Sequence, residues 1–239
     1  MTRLSQILAF FPTVIMALSG VAFLWLCRSD SWIVAICRLL LLLFTLYGLP
    51  VLTYRIHSHF HPLKEGISYL KGEKYSPWWG SHQIQAIYIA FPLLETVLRL
   101  IPGVFSAWLR LWGANIGKQV YWGSIGEISD RGSLKVCDRA LIGHRVGFYA
   151  HIIKPKRQNL LLYVKQIKIG EGAFIGSGSY IGAGVTVTAE GYLEAGSEIH
   201  PNQSITTNYR TPKETAISHP QAASRAGTKD AAEADKCEK

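Results

Sequence analysis

"IGEGAFIGSGSYIGAGVTVTAEGYLEAGSEIHPNQSI", residues 169–205, decides the fold. Aliphatic residues recur every six positions, at Ile169, Ile175, Ile181, Val187, Leu193, Ile199 and Ile205. An even period returns each of them to the same face of a strand, and it fails to return to one face of a 3.6-residue helix. Eight glycines between Gly170 and Gly196 weigh further against a helix. They suit corners where backbone conformation and tight space disfavour a side chain. The fifth position of each hexad is mostly small: Ala173, Ser179, Val185, Gly191 and Ser197, then Gln203.

Upstream the same beat is looser. Ile116, Trp122, Ile128 and Leu134 keep one frame, and a slip of two residues resets it to Val136, Ile142 and Phe148. The beat then stops until Ile169, with "KPKRQNLLLYVKQ" in between. Residues 115–205 therefore carry about four coils of three hexads each.

This pattern resembles the hexapeptide repeat of left-handed parallel β-helix acyltransferases, over under half of the chain. The resemblance implies a β-solenoid, a left-handed parallel β-helix in which three six-residue faces make a triangular coil around an aliphatic axis. It also implies a homotrimer and a groove between neighbouring helices for the pantetheine arm of the acyl donor. A histidine near a loop extruded from one coil would act as general base. The donor would be acyl-CoA or an acyl carrier protein, used as co-substrate, with no permanently bound cofactor and no metal. Carbonic anhydrases built on the same helix need three zinc-binding histidines, two of them five apart, and the spacing here is seven.

The histidines of "GHRVGFYAH", residues 143–151, stand where the repeat breaks. Acyl transfer from a thioester needs a base for the proton of an acceptor hydroxyl or amine, and imidazole titrates near neutrality. His151, directly before the loop, is the first candidate and His144 the second. Glu171 or Asp138 is the expected orienting partner, and the backbone N–H of Gly147 an oxyanion donor. Lys154, Lys156 and Arg157 in the loop, with Lys165 and Lys168 after it, suit the phosphates of coenzyme A or the acidic face of a carrier protein. They suit anionic lipid equally. Leu160, Leu161, Leu162 and Tyr163 are too apolar for an exposed loop, which points to a neighbouring subunit, an acyl chain or the membrane.

The N-terminal half reads as membrane-facing. Residues 7–26 are free of charge over a length that matches a hydrocarbon core. A lone Arg3 before them and "LWLCRSD" after them make a poor cleaved leader. Residues 32–54 form a second span whose one charge, Arg38, is expected to snorkel to the interface. The turn at 28–31 is short. Arg55, Lys64, Lys71 and Lys74 follow the second span, which predicts a multi-pass protein of the inner (cytoplasmic) membrane with its C-terminal domain cytoplasmic.

Residues 84–112, broken by Pro92 and Pro102, read as interfacial amphipathic helices. Glu95 is expected to pair with Arg99 on a polar face, opposite Leu94, Val97, Leu98 and Ile101. His57, His59 and His61 alternate as on an extended strand, with His82 later, and are expected to touch lipid headgroups. Trp78 and Trp79 are expected interface anchors.

The predicted organisation is two transmembrane helices at 1–56, a juxtamembrane loop at 57–83, interfacial helices at 84–112, a β-helix at 113–206 with a loop at 154–166, and a disordered tail at 207–239. Composition fits: 49% hydrophobic residues over 239 and a formal charge of +9. Nucleic acid is set aside, because no aromatic and basic residues interleave on the repeat. Four cysteines without CxxC or metal-type spacing lead one to expect no disulfide framework.

The leading expectation is a membrane-bound acyltransferase whose acceptor is a lipid or lipid-linked hydroxyl or amine at the cytoplasmic face. An O-acetyltransferase of polysaccharide biosynthesis and a non-catalytic β-helix scaffold of a membrane complex are the alternatives.

Overall fold

The computed structural model describes residues 2–28, 31–72, 74–124 and 126–206. The tail expected at 207–239 and the middle of the turn expected at 28–31 lie outside the described residues. The chain folds as two compact units: Met1–Phe91 with Ile153–Leu162, and Pro92–Ile152 with the chain from Tyr163 onward.

In the first unit, α1 (Arg3–Ala9) and α2 (Phe11–Leu26) form one apolar run broken at Phe10. Pro12 sits in the first turn of α2, where its missing N–H breaks no helical bond. A second run joins α3 (Trp32–Leu43), a π-helical segment (Phe44–Gly48) and α4 (Leu49–Phe60). Both runs, Arg3–Leu26 and Trp32–Phe60, are long and apolar enough to cross a membrane by length and composition. Large apolar side chains stay exposed along them, among them Leu24 and Trp25 on α2 and Trp32 and Leu40 on α3. Arg38 donates to the Trp25 carbonyl at 2.7 Å and stacks over the Trp25 indole, so it caps the end of α2.

The π segment has a local cause. Pro50 cannot donate to the Leu46 carbonyl four residues back. The Tyr88 hydroxyl donates to that carbonyl at 2.5 Å. Tyr88 lies on α5 (Pro77–Ala90), which packs against α1, α2 and α4 and buries Trp78, Ile84 and Ile87.

The loop expected at 57–83 is helical at both ends, because α4 carries on to Phe60 and α5 begins at Pro77. Extending an existing helix costs less than nucleating a new strand, so His57 and His59 continue α4 and His61 stands at its C-cap. The rings of His57 and His61 lie 5.3 Å apart, tilted to one another, and His57 Nε2 meets the Tyr75 hydroxyl at 2.6 Å. Trp78, 2% exposed, is a core residue and not an anchor at an interface. Residues 84–90 belong to a buried helix of the first unit.

The stretch at 154–166 is ordered as a β-hairpin, β8 (His151–Lys156) and β9 (Asn159–Val164). Strand β1 (Gly66–Tyr69) adds to β9 to make a three-stranded sheet. Leu160 and Leu161 are half-buried and Leu162 is buried, which accounts for the run's apolarity.

The second unit opens with α6 (Leu93–Arg99) and α7 (Val104–Leu111). Thirteen short strands follow in parallel sheets: β2 (Asn115–Ile116), β3 (Tyr121–Trp122), β4 (Glu127–Ile128), β5 (Leu134–Val136), β6 (Leu141–Ile142), β7 (Gly147–Phe148), β10 (Ile167–Ile169), β11 (Phe174–Ile175), β12 (Tyr180–Ile181), β13 (Thr186–Val187), β14 (Tyr192–Leu193), β15 (Glu198–Ile199) and β16 (Ser204–Ile205). The chain visits three sheets in rotation: β2, β5, β10, β13 and β16 make one, β3, β6, β11 and β14 the next, β4, β7, β12 and β15 the third.

The period of six is the reason, since each aliphatic residue lies in register on its counterpart one round later. Ile169 pairs with Val187, Ile175 with Leu193 and Ile181 with Ile199. All seven, from Ile169 to Ile205, are buried. Ser179 and Ser197 at the small fifth position are fully buried, and each hydroxyl donates to a corner carbonyl. A side chain at Gly176 would strike the backbone at Ala195, and Gly184 holds a left-handed φ of +74°.

The two-residue slip has a structural counterpart. Ile116 pairs with Val136, Trp122 with Ile142 and Ile128 with Phe148. A 3₁₀ turn at Arg131–Ser133 absorbs the extra residues, and Leu134 and Val136 both point inward. Cys27 and Cys37 are free and exposed.

Candidate active site

Strands β4 and β7 are parallel neighbours, so the residues just past their ends meet in space. Ser129 donates its N–H to the Phe148 carbonyl at 3.0 Å and its hydroxyl to Asp130 Oδ2 at 2.8 Å. The same Asp130 Oδ2 lies 2.6 Å from His151 Nδ1. The Asp130 side chain is 4% exposed and that of His151 17%. A carboxylate on Nδ1 keeps the proton on that nitrogen and the basic lone pair on Nε2. It also stabilises the imidazolium formed when Nε2 takes a proton.

A buried ion pair anchors the turn carrying Asp130. Arg131 Nε donates to Glu95 Oε1 at 2.6 Å, both side chains being almost fully buried, and the guanidinium sits 6.0 Å from the Trp112 ring. The Trp108 indole N–H donates to the same Glu95 oxygen at 3.3 Å. Glu95 therefore does not pair with Arg99 as the helical spacing led one to expect. The turn after β4 takes that carboxylate. Arg99 stacks on the Phe105 ring at 4.0 Å and donates to the Gly126 carbonyl at 3.3 Å.

The expected orienting residues are elsewhere. Glu171 pairs with Arg139 at 2.8 Å on the surface, and Asp138 accepts from the Lys118 N–H at 2.7 Å. The Gly147 N–H is spent on the Ser179 carbonyl, so it is no oxyanion donor. Glycine there makes room for the Tyr149 ring, which a side chain would strike. Burial first, and then the Glu127 carboxylate it donates to, push the Tyr149 hydroxyl far above its ordinary pKa, so it stays a neutral donor.

His144 occupies the corner after β6, one corner before His151. It is exposed, its Nδ1 meets the Ser124 hydroxyl at 2.7 Å, and its N–H donates to Ser177 Oγ. A serine hydroxyl supplies no charge to hold an imidazolium, which sets His144 below His151.

The candidate donor-binding residues divide between the units. Lys154, Lys156 and Arg157 lie on the exposed hairpin of the first, where Lys156 Nζ meets the Tyr69 hydroxyl at 3.3 Å. Lys168 is exposed on β10 in the second, in register with Lys135 of β5. Neighbouring like charges repel, so this pair suits an anion between them. Sequence reading missed Lys135 and Asp130.

No family model matches the chain, and no curated protein does. Solved structures similar to it include acetyltransferases. One is a maltose O-acetyltransferase from Clostridium difficile 630, 16% identical, covering 50% of this chain and 84% of that one at a TM-score of 0.36. A second is a hexapeptide-repeat-containing acetyltransferase from Vibrio cholerae O1 biovar eltor complexed with acetyl coenzyme A, 19% identical, covering 56% and 88% at 0.39. A third is a galactoside acetyltransferase in complex with coenzyme A, 14% identical, covering 57% and 88% at 0.31.

Proposed function

We propose that the chain is a membrane-bound acyltransferase that moves an acyl group from acyl-CoA or an acyl carrier protein to a hydroxyl or amine of a lipid or lipid-linked acceptor, with His151 as general base. The observation that carries this reading is the 2.6 Å contact between Asp130 and His151 Nδ1, at the point where the hairpin leaves the three-sheet rotation. In this reading the rotation is a left-handed β-helix, the apolar runs span the inner membrane, and three copies assemble.

His151 Nε2 takes the acceptor's proton as its oxygen or nitrogen attacks the thioester carbonyl. The tetrahedral intermediate collapses with loss of the thiolate, which takes the proton back from the imidazolium. An ester or amide and a free thiol result. Lys168 with Lys135, and the hairpin cations, are the groups we assign to the donor's phosphates or to an acidic carrier.

The test incubates the full chain in lipid nanodiscs with acyl-labelled coenzyme A thioesters of two chain lengths and a total lipid extract. Free thiol and label in the lipid fraction are expected. Label in soluble carbohydrate supports polysaccharide acetylation instead, and absence of thiol release supports a scaffold.

A further inference from the structure

A cavity of about 420 Å³ in the second unit lies between α6, α7 and the first corners of the repeat, remote in sequence from His151. Its lining is divided in character. Arg99 and Arg110 supply cations, while Ile101, Phe105, Tyr121 and Trp122 supply apolar surface.

The guanidiniums of Arg99 and Arg131 both lie near the Glu95 carboxylate, and Arg131 holds that carboxylate by a direct hydrogen bond. Arg99 is left with one backbone carbonyl as acceptor, and its buried Nε and Nη1 have no hydrogen-bond partner among the described residues. Burial lowers its pKa below the arginine value, with Arg131 adding to the fall and Glu95 opposing it. A buried cation short of acceptors is unfavourable until an anion compensates it. Arg110 is bound to the Ile116 and Gly117 carbonyls, which fixes a second positive charge at the cavity wall.

The surroundings indicate what carries the anion. Leu93, Val97, Leu100 and Ile101 on and after α6 are 55–76% exposed, and Tyr121 at the cavity is 62% exposed. An apolar surface of this kind beside a cationic cavity fits an amphiphile, with its charged end inside and its chains along the helix. We infer that this cavity binds the phosphate headgroup of an anionic membrane lipid. The inference rests on the membrane part of the proposed function but not on acyl transfer, since binding is read without turnover.

The experiment titrates the detergent-solubilised full chain with dioctanoyl phosphatidic acid, dioctanoyl phosphatidylcholine and inorganic phosphate, by calorimetry. Phosphatidic acid is expected to bind, and Arg99→Gln to weaken it at least about tenfold, because a charge-assisted hydrogen bond is lost. Gln119→Glu, an isosteric change at an exposed lining residue, keeps the inference testable if Arg99→Gln does not fold. It should weaken phosphatidic acid several-fold by like-charge repulsion at an unchanged melting temperature. Equal binding of phosphatidylcholine, binding of inorganic phosphate as tight as that of the lipid, or full affinity in both variants would overturn it. Loss of acyl transfer with binding intact would sink the enzymatic reading alone.

Discussion

At the scale of single residues, the account turns on a carboxylate one round away from a histidine. Asp130 on His151 Nδ1 predicts that nitrogen NMR of labelled protein at neutral pH finds the His151 proton on Nδ1. Asp130→Asn should shift the tautomer balance and lower kcat/KM, at most by the roughly 10²- to 10⁴-fold that a general base supplies. An unchanged imidazole spectrum in Asp130→Asn would contradict the pairing. The Glu95–Arg131 pair gives a second prediction. Arg131→Met leaves a buried carboxylate without its partner, and thermal or denaturant unfolding should show a loss of about 3–5 kcal/mol. The histidine was legible because the beat breaks beside it. Asp130 was not, because the two-residue slip hides which residues stack; only the Ile128 and Phe148 register places it beside His151.

At the scale of elements, the two apolar runs were readable as charge-free stretches of sufficient length. The start of α5 was not, because its helix is stabilised by packing on α1, α2 and α4 and its residues show no clean apolar stripe. The hairpin at β8 and β9 read as a loop for a related reason: its partner strand β1 is some 90 residues earlier and no local signal announces it. The π segment yields a prediction at this scale. Tyr88→Phe removes the bond to the Leu46 carbonyl and should cost about 1 kcal/mol in the melting of the full chain in detergent. No change in melting would show that the helix bonds that carbonyl well enough unaided.

At the scale of the whole chain, the period of six carried most of what could be known in advance about the second unit. Each aliphatic residue finds its like one round on, and no strand has enough contacts of its own to stand alone. Ile175→Ala should therefore cost about 2–5 kcal/mol in denaturant unfolding, and Ile181→Asp, which buries a charge at a site with no exposure, should abolish folding of the unit. A folded Ile181→Asp protein would mean that the side chain does not lie in the stack. The reading of function joins the scales: stacking sets the register, the register brings Asp130 to His151, and the hairpin breaks the rotation there. The most direct measurement is kcat/KM of His151→Ala against the native chain in nanodiscs, with acyl-labelled coenzyme A thioester and lipid acceptor. The account predicts a loss of about 10²- to 10⁴-fold with circular dichroism showing the fold retained; a folded His151→Ala that transfers the acyl group within about twofold of the native rate would contradict it.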